Sequence, residues 1–258
     1  MTELVKLIIE DNIGIIVIDN PPVNVLNSTV IDEMDIVLSQ VENTPEIKVI
    51  ILTGAGTKAF IAGADIKSMP SLDYKSGELL AQKGQALTLK LENMPKVSIA
   101  AINGVALGGG LEFAMACDIR ICGETVKLGQ PEINLGIIPG YGGTQRLSRL
   151  VGISKAKELI LTGDPITGEE ALKIGLVNKV VKNEEVLNTA KEMAKKIASK
   201  GQIAVHCARD AINKGYNMSL KDSLTLEAMY FGKVCTTEDK NEGVNAFIEK
   251  RQPKFQDK

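Results

Sequence analysis

The decisive stretch is Asn103-Gly104-Val105-Ala106-Leu107-Gly108-Gly109-Gly110-Leu111-Glu112, which separates a run typical of a buried strand from a short apolar helix. Three consecutive glycines weaken the interior of a helix, so we expect them at its start. There their N–H groups and the helix dipole would favour an anion or a developing oxyanion, although a turn packed against a neighbouring backbone is an alternative explanation. The spacing fits neither a phosphate P-loop nor a dinucleotide-binding turn. Glu112 falls in the first helical turn, where it could be only a helix-start charge.

Around this stretch, strand-like and helix-like segments alternate through the first half of the chain. We predict strands at residues 5–10, 14–19, 48–53, 97–102 and 118–122, and helices after an N-cap at Ser28 and at about 73–93 and 108–116. Asp11-Asn12, between the first two strands, is a hairpin signal. Helical crossovers imply roughly parallel strands. Strand ends near Gly54 and Gly104, 50 residues apart, hint at a structural repeat.

After about Gly140 the pattern becomes mainly helical. Short helices are predicted at 142–151, 154–162 and 167–174 with a strand-like run at 176–181, followed by helices at about 183–200, 202–214, 219–235 and 237–250. Amphipathic helices of this kind need a partner surface. We therefore predict an α/β spiral of ββα units with the active site in residues 1–182. Residues 183–258 would form a helical region that supports oligomerisation and closes the active site.

Composition limits the chemistry that this chain can perform. A formal net charge of −2 gives no support for nucleic-acid binding. The N-terminal residues resemble neither a signal peptide nor a membrane span, so we expect a cytoplasmic protein, with Cys117 and Cys122 as reduced core residues. His206 is the only histidine, which excludes zinc sites with two or more histidines and argues against a Ser-His-Asp triad. We therefore expect any acid–base chemistry to use carboxylates, tyrosine or lysine.

Two further segments carry candidate site residues. The first is Phe60-Ile61-Ala62-Gly63-Ala64-Asp65-Ile66-Lys67. Its small residues would let a backbone with free N–H groups approach a ligand, or would form only a tight turn. The second runs from Leu128 to Leu147 and places Glu132 directly after Pro131 in an apolar, glycine-rich setting. Burial there would raise the pKa of Glu132 and keep it protonated as a general acid, whereas a solvent-exposed loop acid is the alternative.

Together, the three segments resemble the signature of the crotonase (enoyl-CoA hydratase/isomerase) superfamily. The matching runs are Ala62 to Lys67, Ala106 to Glu112 and Gly129 to Leu147. The resemblance continues through Thr162-Gly163, Gly175-Leu176-Val177 and the tail from Phe247 to Arg251, so it covers essentially the whole chain. It is closest to the bacterial short-chain enoyl-CoA hydratases, and it implies a crotonase-like spiral fold.

The resemblance also implies a reaction. The thioester carbonyl of an acyl-CoA would lie between the N–H groups of Ala62 and Gly109, which form an oxyanion hole. Hydratases of the family carry two glutamates, matched here by Glu112 and Glu132, for the hydration of trans-2-enoyl-CoA to 3-hydroxyacyl-CoA in fatty acid metabolism. Glu112 as carboxylate would activate water at Cβ, with the N–H of Gly140 helping to hold that water, and Glu132 would exchange the proton at Cα. Two neighbouring carboxylates should titrate as a coupled pair. Coenzyme A is part of the substrate, and neither a metal nor a redox cofactor is implied.

The resemblance extends to substrate binding and assembly. Coenzyme A would run along Ala62, Gly63, Ala64, Asp65 and Ile66. Lys250 matches a tail lysine that reaches the CoA phosphate of a neighbouring subunit, with Phe247 nearby, although a solvated helix charge explains Lys250 equally well. The family forms trimers that pair into hexamers, so a homo-oligomer is expected. Two positions depart from relatives: Leu111 stands where cysteine is frequent, and the bulky Tyr141 could shorten the acyl pocket or point away.

Two other functions stay open at this point. Δ3-Δ2 enoyl-CoA isomerisation on the same scaffold needs a single acid, so the presence of two glutamates disfavours it. Some relatives contact RNA, but this sequence lacks a basic and aromatic stripe that would support such a role.

Overall fold

The computed structural model describes residues 3–258; Met1 and Thr2, the first residues of the predicted core domain, lie outside the described part of the chain. The strands are β1 (Val5–Glu10), β2 (Ile13–Ile18), β3 (Val49–Gly54), β4 (Ala59–Ile61), β5 (Val97–Ile102), β6 (Val105–Leu107), β7 (Ile119–Gly123), β8 (Lys127–Gly129), β9 (Ile166–Thr167) and β10 (Lys179–Val181). The α-helices are α1 (Ser28–Glu42), α2 (Tyr74–Asn93), α3 (Gly109–Ala116), α4 (Gly143–Val151), α5 (Ile153–Thr162), α6 (Gly168–Lys173), α7 (Val186–Ala198), α8 (Gln202–Gly215), α9 (Leu220–Cys235) and α10 (Glu238–Ile248). Short 3₁₀ helices cover Ile66–Ser71, Pro131–Leu135 and Asn183–Glu185.

The larger sheet has the strand order β1-β2-β3-β5-β7-β10. The predicted hairpin joins β1 and β2 in antiparallel pairing, and the other neighbours are parallel. Every residue of β3 and β5 is buried, as parallel strands covered on both faces require. One core cluster contains Val30 and Leu38 of α1, and a second places Val186, Ala190 and Ala194 of α7 against the sheet.

The smaller sheet, with the order β4-β6-β8-β9, is absent from the sequence prediction. Its strands have only two or three residues, which is too short to show a periodic pattern. Strands β4, β6 and β8 each follow a strand of the larger sheet, so three successive units contribute one strand to each sheet. The predicted α/β fold of repeated ββα units is confirmed. Because β6 ends at Leu107, α3 begins at the edge of this smaller sheet.

Two local predictions are corrected by hydrogen bonding. The N-cap of α1 is Asn27, not Ser28, because the Asn27 side chain accepts the N–H of Val30 at 2.9 Å. The predicted strand at 176–181 begins only at Lys179. Before it, the N–H groups of Leu176 and Val177 donate to the carbonyl of Ala171 at 2.8 and 3.3 Å, which closes a turn after α6.

The C-terminal helices attach to the core in different ways. Helix α7 packs on the larger sheet, and α8 is held by Arg209, whose Nε donates to Asp118 at 2.6 Å and whose Nη1 donates to the carbonyl of Met94 at 2.8 Å. Helix α9 has no buried residue in the single chain. The predicted division of the chain after residue 182 stays a prediction. Within residues 3–258, no helix is long and apolar enough to cross a bilayer.

The predicted core position of Cys117 and Cys122 is confirmed. Cys117 and Cys122 are buried and unpaired, and burial raises the pKa of each thiol to about 12. His206 lies on α8 and does not line the main cavity.

Candidate active site

A cavity of about 1410 Å³ opens where the N-terminus of α3 meets α2, α4 and α8. Both predicted catalytic carboxylates, Glu112 and Glu132, line it. Other predicted site residues that line the same cavity are Ala62, Gly63, Ala64, Ile66, Gly109, Gly140 and Tyr141. The fold therefore brings together three sequence segments that are far apart along the chain.

The glycines at the start of α3 have separate roles. Gly108 is the N-cap residue, with a φ of +51° that favours glycine. Gly110 lies against β4, where a Cβ atom would come 2.0 Å from the carbonyl oxygen of Ile61. Gly109 is the first residue of the helix, and its N–H donates to no acceptor among the described residues. Gly109 lines the cavity and presents its free donor there, near the positive end of the helix dipole, whereas Gly110 does not line the cavity.

The prediction that Ala62 supplies the second oxyanion donor is not supported, because its N–H donates to the carbonyl of Val23 at 3.2 Å. Ala64 lines the same cavity, and its N–H has no acceptor within the described residues. The cause is a parallel bridge between Leu26 and Ala64. The N–H of Leu26 donates to the carbonyl of Gly63 at 2.8 Å, and the carbonyl of Leu26 accepts the N–H of Asp65 at 3.0 Å. Because Ala64 lies between these two partners, its own N–H points away from Leu26.

Glu112 is only 1% exposed and belongs to the first turn of α3. Its Oε1 accepts the N–H of Tyr141 at 2.7 Å and the N–H of Gly143 at 2.6 Å. Burial raises the pKa of Glu112 to about 7, and the charge of Glu132 acts in the same direction. The two N–H bonds and the guanidinium of Arg146 oppose that rise in pKa. A carboxylate is thus held ready to exchange a proton near neutral pH.

Glu132 follows Pro131 in a 3₁₀ helix, as the sequence predicts. It is partly buried rather than an exposed loop acid, and burial raises the pKa of its carboxyl group. Its Oε2 is buried without a hydrogen-bond partner among the described residues, whereas its Oε1 lies 2.8 Å from the place that a Cβ atom on Gly108 would take. A carboxyl oxygen without a donor favours the neutral acid.

Gly140 and Tyr141 close the cavity from the loop before α4. The carbonyl of Gly140 accepts Nε2 of Gln85 at 2.9 Å, and its N–H donates to no acceptor in the part of the chain that the structure describes. The ring of Tyr141 is buried between α2 and α3: a Cβ atom on Gly84 would lie 2.0 Å from it, and one on Gly109 would lie 3.3 Å from it. Tyr141 therefore points into the site rather than away, and burial raises the pKa of its phenol to about 12.

Other residues singled out from the sequence lie elsewhere in the single chain. The Asp65 side chain caps the following 3₁₀ helix by accepting the N–H of Lys67 at 3.1 Å and does not line the cavity. Leu111 is 1% exposed and belongs to the core, so it is not a pocket residue. Phe247 is 86% exposed on α10, and neither it nor Lys250 lines the cavity.

Sequence reasoning missed several residues behind the two carboxylates. Arg146 and Thr88 hold the backbone of Tyr141, and Gly84 makes room for its ring. Gln130 is fully buried and donates to the carbonyl of Gly108 at 3.1 Å, which fixes the turn before α3. The only sequence signal for these roles was the position of Gln130 and Arg146 inside the motif, since their partners come from distant segments.

Known proteins resemble this chain over almost its whole length. Residues 9–258 match the family described as Enoyl-CoA hydratase/isomerase. The chain is 48% identical over 244 residues to the Short-chain-enoyl-CoA hydratase of Clostridium acetobutylicum, covering 94% of each chain. It is 44% identical over 247 residues to the Crotonyl-CoA hydratase of Syntrophomonas wolfei, covering 95% of each. The crystal structure of Enoyl-CoA Hydratase from Bacillus anthracis superposes with a TM-score of 0.95 at 40% identity, covering 99% of this chain and 100% of that one.

Proposed function

The chain belongs to the enoyl-CoA hydratase/isomerase family and is an enzyme of the enoyl-CoA hydratase type, and we propose that it adds water reversibly to trans-2-enoyl-CoA to give 3-hydroxyacyl-CoA. One observation carries the proposal: two carboxyl groups, Glu112 and Glu132, face one cavity at the N-terminus of α3. Their environments differ, so one can act as base while the other acts as acid.

The carbonyl of the thioester would accept hydrogen bonds from the N–H groups of Gly109 and Ala64. Both N–H groups border the cavity and lack acceptors among the described residues. Backbone donors aimed at a developing enolate oxygen are worth about 10²–10³ in rate for each donor. Here Ala64 takes the place that the sequence motif gave to Ala62.

The proton is assigned to Glu132 at rest. Glu112 accepts two N–H bonds on Oε1, which stabilise the carboxylate, whereas Oε2 of Glu132 is buried without a donor. Glu112 would then take a proton from water as the oxygen of that water bonds to Cβ, with the N–H of Gly140 helping to hold the water. Glu132 gives its proton to Cα, and exchange with solvent restores both groups.

A short acyl chain is the proposed substrate. The ring of Tyr141 fills the space between Gly84 and Gly109, beside the N–H that would donate to the carbonyl oxygen of the thioester. A bulky buried ring at that place leaves little room for a long acyl tail. The names of two relatives, Short-chain-enoyl-CoA hydratase and Crotonyl-CoA hydratase, support the same preference.

Assembly and substrate binding complete the proposal. Coenzyme A would run along Gly63, Ala64, Asp65 and Ile66, and the exposed Phe247 and Lys250 would reach the CoA site of a neighbouring subunit in a trimer or hexamer. The reaction needs only the carboxyl groups and backbone donors, so we propose that neither a metal nor a redox cofactor takes part. Cytoplasmic location, a role in fatty acid metabolism and the absence of nucleic-acid binding stay predictions.

The test is hydration of crotonyl-CoA, followed by loss of the absorbance of the conjugated thioester. Wild-type enzyme should turn over, and Glu112→Gln and Glu132→Gln should each lose most of the activity. Glu158→Gln, on the exposed face of α5, is the matched control and should keep it. A 3-enoyl-CoA assayed in parallel tests isomerisation. If the wild type hydrates no trans-2-enoyl-CoA of any chain length, the proposal is wrong.

A further inference from the structure

The backbone of Tyr141 links Glu112 to a charged pair that the proposed mechanism does not use. Its N–H donates to Oε1 of Glu112 at 2.7 Å. Its carbonyl accepts Nη1 of Arg146 and Oγ1 of Thr88, each at 3.0 Å. The other end of the guanidinium, Nη2, donates to Glu92 on α2 at 2.7 Å. A chain of direct contacts therefore runs from Glu92 through Arg146 and Tyr141 to the proposed base.

The guanidinium of Arg146 lies close enough to Glu112 to affect its ionisation. The Arg146 side chain is 11% exposed and that of Glu92 is 38% exposed, so the guanidinium is screened less than a surface cation. Besides Arg146, the titratable groups that face Glu112 are the carboxyl of Glu132 and the phenol of Tyr141. The positive charge of Arg146 favours the ionised form of Glu112 and opposes the effect of Glu132.

We propose that Arg146 is a positioning residue for Glu112, acting through the Tyr141 backbone and through its positive charge, and that Glu92 moderates that charge. The inference rests on the proposed function, because it takes Glu112 as the base of the hydration. It adds two residues, on α4 and α2, that never touch the substrate yet set the pH range in which the base is ionised.

A purely structural clamp is the competing explanation. Arg146 packs closely on Gly142, where a Cβ atom would lie 2.3 Å from Nη1, so the guanidinium also braces the loop. The two explanations differ in the shifts that they predict for the pKa of Glu112. Removing the positive charge of Arg146 should make Glu112 harder to ionise, whereas removing the negative charge of Glu92 should make it easier. Loosening of a structural clamp gives no reason for opposite effects.

The experiment measures kcat/KM for crotonyl-CoA against pH, whose acid limb reports the ionisation of the free enzyme's base. Arg146→Met should move the midpoint of that limb up by at most about one pH unit, because Arg146 has the smallest effect on the pKa of Glu112 and even a close opposite charge lowers a carboxyl pKa by only about 1–3 units. Glu92→Gln should move it down. Arg146→Lys keeps the charge, so its midpoint should stay near that of the wild type while kcat falls from lost geometry.

Arg149→Met is the matched control, since Arg149 lies on the same helix, is exposed and, among the described residues, donates from its guanidinium only to Gln145. It removes the same charge and should leave the midpoint in place, whatever its effect on the rate. Shifts of Arg146→Met and Glu92→Gln in the same direction, or no shift in either, overturn the inference. If Arg146→Met does not fold, Glu92→Gln decides alone: a lower midpoint supports the inference and an unchanged one overturns it.

A second readout separates this inference from the proposed function. The carboxyl C=O stretch of Glu112 can be titrated by infrared difference spectroscopy, with Glu112→Gln identifying the band. If the wild type fails to hydrate any enoyl-CoA, the proposed function fails, yet the infrared midpoints of the Arg146→Met and Glu92→Gln proteins still test the charge coupling. Opposite infrared shifts support it, and coincident titration curves reject it.

Discussion

Replacing Gly84 by alanine should lower both the stability and the hydratase activity of the protein, because the ring of Tyr141 occupies the place of the new methyl group. The Cβ atom would lie 2.0, 2.2 and 2.4 Å from three ring carbons. On its other side the ring is confined by Gly109, at 3.3 Å from the position of a Cβ atom there. The ring therefore has no room to move away without disturbing Gly109, which carries the proposed oxyanion donor.

Gly77 gives the matched comparison on the same helix, since a Cβ atom there meets nothing within 4 Å. Glycine to alanine inside a helix stabilises the fold by about 0.5–1 kcal/mol, so Gly77→Ala should raise Tm by roughly 1–4 °C. Gly84→Ala gains the same helix preference but adds overpacking, which costs about 1–3 kcal/mol. Gly84→Ala should therefore melt roughly 2–12 °C below Gly77→Ala.

The assay combines thermal melting with kcat/KM for crotonyl-CoA. Gly84→Ala should lose activity as the displaced ring disturbs Gly109 and the Tyr141 N–H that holds Glu112, whereas Gly77→Ala should keep it. Adding Tyr141→Ala to Gly84→Ala removes the clash, so the two substitutions should be strongly non-additive. Equal melting temperatures and equal activities for Gly84→Ala and Gly77→Ala would refute the placement of the ring between α2 and α3.

Three further predictions concern the pocket, the base and the C-terminal helices. Tyr141→Ala should raise kcat/KM for octenoyl-CoA relative to crotonyl-CoA, and an unchanged ratio contradicts the short-chain argument. Glu112→Gln should abolish hydration yet stabilise the fold above pH 7 by about 3 kcal/mol, because folded Glu112 keeps its proton up to about pH 7 whereas the unfolded chain releases it near 4.5. That gain should vanish below pH 4.5 in melting curves, and a pH-independent gain contradicts the assigned cause. Asp118→Ala should lower the free energy of unfolding by about 3–5 kcal/mol, because it removes the carboxylate that pairs with the buried Arg209. Glu158→Ala breaks an exposed ion pair and should lower it by less than about 1 kcal/mol. Equal losses in chemical denaturation would contradict this prediction.

Long elements could be predicted from the sequence because their patterns extend over many residues. The buried stripe of α1, from Val30 to Val41, repeats at helical spacing, and the buried strands β3 and β5 are continuous runs bounded by turns. The smaller sheet could not be predicted in this way. A strand of three residues such as β4 is defined by its partner strand, and that partner lies more than forty residues further along the chain.

The sequence predicted that Glu112 and Glu132 lie together, but it did not predict which N–H group near them is free to donate. Glu112 and Glu132 lie inside a motif, and their chemical type alone marks them as acid–base candidates. Ala62 and Ala64 are both small residues two positions apart, so side-chain identity cannot tell which N–H is free. Pairing with Leu26, 38 residues before Ala64, decides it. The pairing of Arg146 with Glu92 likewise depends on how α4 meets α2.

The three consecutive glycines at the start of α3 leave space for neighbouring groups as well as exposing N–H groups. Gly109 is the proposed donor. A Cβ atom on Gly108 would lie 2.8 Å from the Glu132 carboxyl, and one on Gly110 would lie 2.0 Å from the carbonyl oxygen of Ile61 in β4. A Cβ atom on Gly143 would lie 2.9 Å from Oε1 of Glu112. The glycines and the two glutamates therefore form one steric arrangement. A methyl group at Gly108 or Gly143 should impair acid–base catalysis through the neighbouring carboxylate, even though neither glycine supplies an oxyanion donor.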